Sequence, residues 1–356
     1  MLFATPDEID YNISTNVAAL ERVINQLDIE DDPYMQSLRA NFQRLPPGSE
    51  RTRVDQLLSK TISSGKTYTQ AGLKDFLGAA QDICINIGYW AADWYVAKVL
   101  EHVKAASSAL QPLSTELKNR ERSYLFGILN QLVVSLVSDN CQDIVNGSTD
   151  KVRVLVECLV AEKASVEAQN ETFSGLVFVT RRDAVLALAE VLSRHPQTKD
   201  LFVIGCLLGT SESRFRQTFL DITRSLFRQP QEETLNDLKS GDTNLVISTS
   251  VAEEGIDIQS CCNVIRWDPP QNMVSWAQSR GRARRQRSTF VVMFPDDGSR
   301  EDDVKKWMEL ERQMVCMYNS AERELQLELA RFSSDNNSGE DDDGDEDLKL
   351  HVESTG

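Results

Sequence analysis

The sequence predicts an α/β chain: an all-α bundle, then a mainly parallel sheet with its crossover helices, then a long charged helix. Three observations predict it. From Gln70 to about Ser138, apolar residues recur at spacings of three and four, the helical period. From Gly175 to Phe294, short apolar runs of strand length alternate with helical stretches, as parallel strands buried on both faces require. From Glu301 to Arg331, a highly charged segment carries Val304, Trp307, Met308, Glu311, Val315, Tyr318 and Leu325 on its less polar side.

Residues 1 to about 60 read as a polar connector, helical in pieces. Val17, Leu20, Val23, Ile24 and Leu27 keep helical spacing, and Pro46-Pro47-Gly48 breaks it. This opening contains no expected strand and looks like the tail of something larger. A helical bundle is expected over 61–145. One stripe runs Leu73, Phe76, Leu77, Ala80, Ile83, Cys84 and Ile87; a second runs Ala92, Tyr95, Val96, Val99 and Val103. The third is Leu125, Ile128, Leu129, Leu132, Leu136 and Val137. Trp90 and Trp94, at i and i+4, read as core.

Asn146-Gly147-Ser148 marks a turn, and an α/β domain is expected over 146–297. Its strands are Gly175–Val179, Leu201–Gly205, Leu245–Ser248, Val264–Trp267 and Phe290–Phe294. Its helices are Lys151–Glu167, Asp183–Ser193, Ser211–Arg228 and Gln231–Lys239. The long helical segment takes 298–332, and 333–356 reads as a disordered acidic linker.

The formal charge is −17, which at first argues against a nucleic-acid binder. Eight of those charges sit together, at Asp335, Glu340, Asp341, Asp342, Asp343, Asp345, Glu346 and Asp347. The remainder is still acidic, so contact with nucleic acid must rely on local basic clusters. Seven cysteines form no CxxC pair and share no metal spacing with the three histidines. A reducing compartment and no structural metal are expected. No signal peptide is recognised, and no apolar run approaches the ~20 residues of a membrane span. The chain therefore reads as soluble and intracellular, cytoplasmic or nuclear, with no membrane partner.

Ser64-Gly65-Lys66-Thr67 imitates a phosphate-binding loop without being one. The GxxxxGK[ST] pattern needs a glycine at position 60, where Lys60 stands, and an apolar strand ahead of it, which Asp55 to Ser63 does not supply. A loop before a helix is the expected reading.

The chemistry concentrates between Asn244 and Arg287. An apolar run ends in Ser248, Thr249 and Ser250; Glu253-Glu254 leads into Gly255-Ile256-Asp257. A second run closes at Asp268-Pro269-Pro270, and a helix then ends among Arg280, Arg282, Arg284, Arg285 and Arg287. Arginine suits phosphoryl chemistry because its planar, permanently charged fork grips two oxygens at once. Asp257 can accept from a ribose, and Gly255 permits a tight turn beside it. Thr249 and Ser250, at a strand end, can donate to a backbone phosphate. The plainer alternatives are a turn at Gly255-Ile256-Asp257 and arginines that merely offset the helix dipole.

In this order, Ser248-Thr249-Ser250-Val251-Ala252-Glu253-Glu254-Gly255-Ile256-Asp257-Ile258 resembles motif V of superfamily 2 helicases. Gln278-Ser279-Arg280-Gly281-Arg282-Ala283-Arg284-Arg285 resembles their motif VI. The wording is closest to the duplex-RNA group, Dicer and the innate-immune RNA sensors. The resemblance implies a RecA-like helicase C-terminal domain with an all-α helical insertion and a C-terminal helical bracket. It implies ATP as cofactor, bounded by Gly255, Asp257, Gln278 and Gly281, with Arg282 as one arginine finger. The second finger is Arg284 in the duplex-RNA register and Arg285 in the general one. Phe178-Val179-Thr180-Arg181-Arg182 resembles motif IV, so Thr180 and Arg182 are expected RNA contacts, as is Gly209 in Leu208-Gly209-Thr210. Gly88-Tyr89-Trp90-Ala91-Ala92-Asp93 resembles a phrase of the Dicer helical insertion, which in that family leans on the duplex.

The first helicase domain, with its P-loop and its magnesium-holding DECH box, has no counterpart in the sequence. The chain thus looks like the second half of a Dicer-type module, a fragment or truncated product. Two readings compete. In one, it belongs to an ATP-dependent double-stranded RNA translocase of an RNA-silencing endoribonuclease, inactive without the first domain. In the other, it is a non-catalytic duplex-RNA sensor or interaction scaffold.

Overall fold

The computed structural model describes residues 1–5, 13–106, 115–208, 231–249, 261–283, 285, 287–296, 302 and 305–320. Residues 1–300 and 301–356 form two compact units. In the second, residues 305–320 are helical, within the expected long helix; the acidic stretch after Ser333 lies outside the described residues.

The first unit begins with a strand, β1 (Leu2–Phe3), which corrects the expectation of a strandless opening. It is too short to show a period, and only its partner makes it a strand: it pairs in parallel with β7 (Phe294–Pro295). Helix α1 (Thr15–Asn25) starts where the Ser14 side chain accepts from the Val17 amide, and it buries Asn16, Val17 and Leu20. A 3₁₀ turn, Ile29–Asp31, leads to α2 (Pro33–Arg44), capped by Asp32 with proline in its first turn.

Helix α3 (Ser49–Ser64) stops at Gly65, whose φ of 56° is the left-handed C-cap conformation. Thr67 then caps α4 (Tyr68–Asn86), and its hydroxyl donates to Asp32 at 2.6 Å. The SGKT phrase is therefore a corner between two helices. Helices α5 (Tyr89–Ala106), α6 (Glu116–Gln131), α7 (Cys141–Asn146) and α8 (Asp150–Glu167) follow.

The third expected stripe is corrected. Helix α6 ends at Gln131, and residues 132–140 have no helical structure. Leu132 is buried, whereas Val133 and Leu136 are exposed. Tertiary hydrogen bonds claim this backbone instead. The Asn16 side chain accepts from the Ser135 amide at 2.8 Å and donates to its carbonyl at 3.3 Å, while the Trp90 indole donates to the Ser138 carbonyl at 2.8 Å.

The sheet comprises β2 (Gly175–Phe178), β3 (Ile204–Leu207), β4 (Leu245–Ser248), β5 (Asn263–Arg266) and β6 (Thr289–Val292). All neighbours are parallel, in the order β3-β4-β2-β5-β6. Strand β3 begins three residues later than expected. Leu201 and Val203 are exposed, and Asn244 binds both the Leu201 carbonyl and the Val203 amide as an edge turn.

Helix α9 (Arg182–Arg194) lies between the sheet and the α4–α5 pair, and α10 (Gln231–Ser240) packs on β3. Along β2 the side chains alternate. Val177 joins a core continuous with the helical bundle, while Leu176 and Phe178 join a smaller one with Leu207, Val246, Val264 and Leu238. Burial on both faces explains why β2 and the first three residues of β4 read as unbroken apolar runs. The helix expected over Ser211–Arg228 lies outside the described residues.

Candidate nucleic-acid and nucleotide interface

Parallel strands share one carboxyl edge, and three loops of interest leave from it. Thr180 is exposed just past β2; Arg182 is half-buried at the start of α9. Thr249 follows β4 and is only 5% exposed, its amide donating to the Leu207 carbonyl at 3.1 Å and its carbonyl accepting the Ser248 hydroxyl at 2.8 Å. Gly209, Ser250, Gly255 and Asp257 lie outside the described residues.

Of the arginine cluster, Arg280, Arg282, Arg285 and Arg287 lie at the opposite, amino edge. Helix α11 (Met273–Arg280) runs back along the sheet from an Asn272 cap and packs Trp276 edge-on against Phe290, ring centroids 5.3 Å apart. Gly281 ends it, with Gln278 half-buried in its last turn. The Arg282 carbonyl then accepts the Cys261 amide at 3.1 Å, just before β5. Arg285 donates to the Thr172 carbonyl at 2.8 Å, just before β2, and Arg287 donates to Gln169 at 2.6 Å. Arg284 lies outside the described residues. Thr180 and Thr249 are thus separated from Arg282 and Arg285 by the length of the strands, four residues or about 13 Å.

Sequence reasoning missed the polar network under the carboxyl edge. Lys151, at the start of α8, is 5% exposed. Its ammonium lies 4.2 Å from the Trp267 ring centroid and 5.1 Å from that of Phe3, and pairs with Asp268 Oδ1 at 3.3 Å. The other carboxylate oxygen of Asp268 accepts the Thr180 amide at 2.8 Å. Next along the loop, Arg181 pairs with Asp183 at 2.7 Å and with Asp82 of α4 at 3.5 Å.

Burial pulls the Lys151 ammonium pKa below its ordinary value, with Asp268 and Asp82 opposing. Burial likewise pushes the Asp82 carboxyl up; Asp183 and Asp268 add to that, and Arg181 and Lys151 oppose it. Arg266, also 5% exposed, donates to the Asp268 carbonyl and to Ser275 at 2.9 Å, which fixes α11 against β5. No pattern of spacing announces these residues, because Lys151 and Asp268 stand 117 positions apart.

All seven cysteines are unpaired thiols. Burial pushes Cys206 up to about 12 and Cys261 up to about 11, so neither is a ready nucleophile. Among the described residues, no group of three or more His, Cys, Asp or Glu side chains could hold a metal ion, and no helix is long and apolar enough to cross a membrane.

Residues 150–287 match the family described as helicase conserved C-terminal domain. Dicer-like protein 2 of Aspergillus fumigatus is 33% identical over 322 residues, covering 90% of this chain and 22% of that protein. Dicer-like protein 2 of Neosartorya fischeri is 34% identical over 324 residues, with the same coverage of 90% and 22%. Dicer-like protein 2 of Cryphonectria parasitica is 29% identical over 344 residues, 96% of this chain and 21% of that protein. The chain thus spans about a fifth of the length of these curated relatives. Among solved structures, the Pyrococcus furiosus Hef helicase domain aligns with 15% identity and a TM-score of 0.39, covering 86% of this chain and 56% of that one, a likeness too loose to bear weight.

Proposed function

Because this chain carries the helicase conserved C-terminal domain of the Dicer-like proteins, we propose that it is one wall of an ATP-dependent motor on double-stranded RNA. The observation that carries the reading is the separation of two donor sets at opposite edges of one sheet. A strand-end set reads nucleic-acid backbone, and an arginine set meets phosphate. At the carboxyl edge, Thr180 and Arg182 contact the RNA backbone, with the buried Thr249 supporting that edge from beneath. Ser250 and Gly209 join the contacts as the motif resemblance implies, and the contacts carry no base sequence.

At the amino edge, Arg282 and a second arginine face the phosphates of an ATP held, with magnesium, by the first helicase domain of the full-length protein. The residues present suit that anion: Gln278 and the arginines are donors, and Gly281 ends the helix beside them. ATP supplies the phosphoryl group whose transfer drives movement. This chain's part is to neutralise charge that develops on the phosphate oxygens, while Gly255 and Asp257 bound the nucleotide. Arg285 already donates to the Thr172 carbonyl, which supports Arg284 as the second finger and Arg285 as an anchor. On this reading the whole protein is an RNA-silencing, antiviral endoribonuclease; the relatives' name, Dicer-like protein 2, supports its Dicer-like character.

The test is reconstitution with the first domain. The isolated chain is expected to hydrolyse no ATP, and the pair to hydrolyse it with RNA stimulation. Arg282→Ala and Arg284→Ala should each lower turnover on the order of 10³-fold with duplex binding retained, whereas Arg285→Ala should chiefly lower the melting temperature. Magnesium-dependent turnover by the isolated chain, or full activity of all three variants, would overturn the assignment. A pair that binds duplex RNA but never hydrolyses ATP would favour a non-catalytic sensor.

A further inference from the structure

Burying a lysine ammonium is costly, and a buried ion pair seldom stabilises a fold more than an apolar pair of the same shape. The Lys151–Asp268 pair is nevertheless built with care. Two aromatic rings flank the ammonium, and one carboxylate binds the lysine with one oxygen and the Thr180 amide with the other. The next residue, Arg181, reaches the helical bundle at Asp82. We propose that Lys151 is a positioning residue: through Asp268 it holds the Thr180–Arg182 loop in the conformation that meets RNA, and it ties that loop to the helical bundle. The inference rests on the role given above to Thr180 and Arg182.

The physical argument is one of competing charges. With Lys151 in place, Asp268 is compensated and stays beneath the loop. Without it, Asp268 faces Asp82 and Asp183 with less positive charge to offset three carboxylates, since Arg181 already pairs with Asp183 and Asp82 and Arg266 donates to the Asp268 backbone carbonyl. The Asp268 carboxylate then turns toward water, and the Thr180 amide loses its acceptor. The loop end of β2 keeps the Val179 amide bonded to the Ser248 carbonyl at 2.8 Å. The release is therefore confined to residues 180–182 rather than spreading into the strand.

The experiment pairs amide hydrogen exchange at Thr180, which needs no RNA, with anisotropy of a labelled blunt duplex at low salt, on the full chain. Lys151→Met is expected to speed Thr180 exchange by about tenfold or more and to weaken duplex binding by about fivefold. Lys151→Arg, which keeps the charge, should restore both toward wild type. Unchanged Thr180 protection in Lys151→Met overturns the proposal, as does a folded Lys151→Arg that fails as badly as Lys151→Met. If Lys151→Met does not fold, Asp268→Asn replaces it; the weaker amide acceptor should still speed Thr180 exchange several-fold, and no change overturns the proposal. Rapid Thr180 exchange in the wild type overturns it without any variant. A wild type that protects Thr180 but never binds duplex overturns the functional reading instead and leaves the positioning result standing.

Discussion

Glu121 shows how a single side chain sets a pH dependence. It lies on α6, 6% exposed, at the wall of a cavity of about 380 Å³ that Tyr34, Lys60, Lys66 and Thr67 also line. Burial and the Asp32 carboxylate push its carboxyl up to about 7, against Lys118. An unfolded glutamate titrates near ~4.3. As pH rises from there, the unfolded chain releases this proton first, so folding loses stability until the folded group ionises near 7, and the loss is then constant. Glu121→Gln removes the penalty. Solvent in the cavity screens the charge, so the expected gain is on the order of 1 kcal/mol, or about 2–4 °C in Tm, at pH 8 and close to nothing at pH 4. Melts at the two pH values check it; an equal difference at both would contradict it.

At the scale of elements, the Gly88–Asp93 phrase works as architecture. Gly88 has a φ of 132°, and a Cβ there would meet the Gly147 carbonyl oxygen at 1.9 Å. The start of α5 is thereby pressed against the α7–α8 turn. Trp90 holds the 132–140 segment, and Asp93 accepts from the Ser14 hydroxyl at 2.7 Å and the Asn16 amide at 2.8 Å, joining α1 to the bundle. Gly88→Ala is expected to cost more than ~3 kcal/mol, since a backbone contact cannot yield as a side chain does. Gly65→Ala is the control: its φ is also positive, but its nearest neighbour is the flexible Lys74 Nζ at 3.5 Å, and about 1 kcal/mol is expected. Chemical denaturation of both variants measures the contrast; equal costs would refute the crowding at Gly88.

For the whole molecule, a formal charge of −17 opposes RNA at long range, so binding must come from the sheet edge and depend on salt. We expect modest affinity for duplex RNA, little sequence preference and a steep fall with added salt. Removing Ser333–Gly356 deletes the densest run of acids and should strengthen binding without moving the melting temperature. Anisotropy and thermal melts of the two chains check this. A large loss of Tm on truncation, or tighter binding to single-stranded RNA, would contradict it.

The sheet was legible in the sequence because strands buried on both faces must be largely apolar, and Gly175–Phe178 and the first three residues of Leu245–Ser248 are. The arginine cluster after α11 was legible because its residues are neighbours along the chain. Leu132, Leu136 and Val137 misled because helical spacing is a local property, and the Asn16 and Trp90 side chains outbid the helix for that backbone. Strand β1 was invisible because two residues carry no period, and only β7 makes them a strand. Lys151, Trp267 and Asp268 meet beneath Thr180 only once the chain has folded. Sequence alone determined where the central apolar strands lie and where cationic chemistry gathers, since both follow from local composition. Tertiary structure alone decided which edge of the sheet each group occupies and which charges share low-dielectric space, because those relations join residues more than a hundred positions apart.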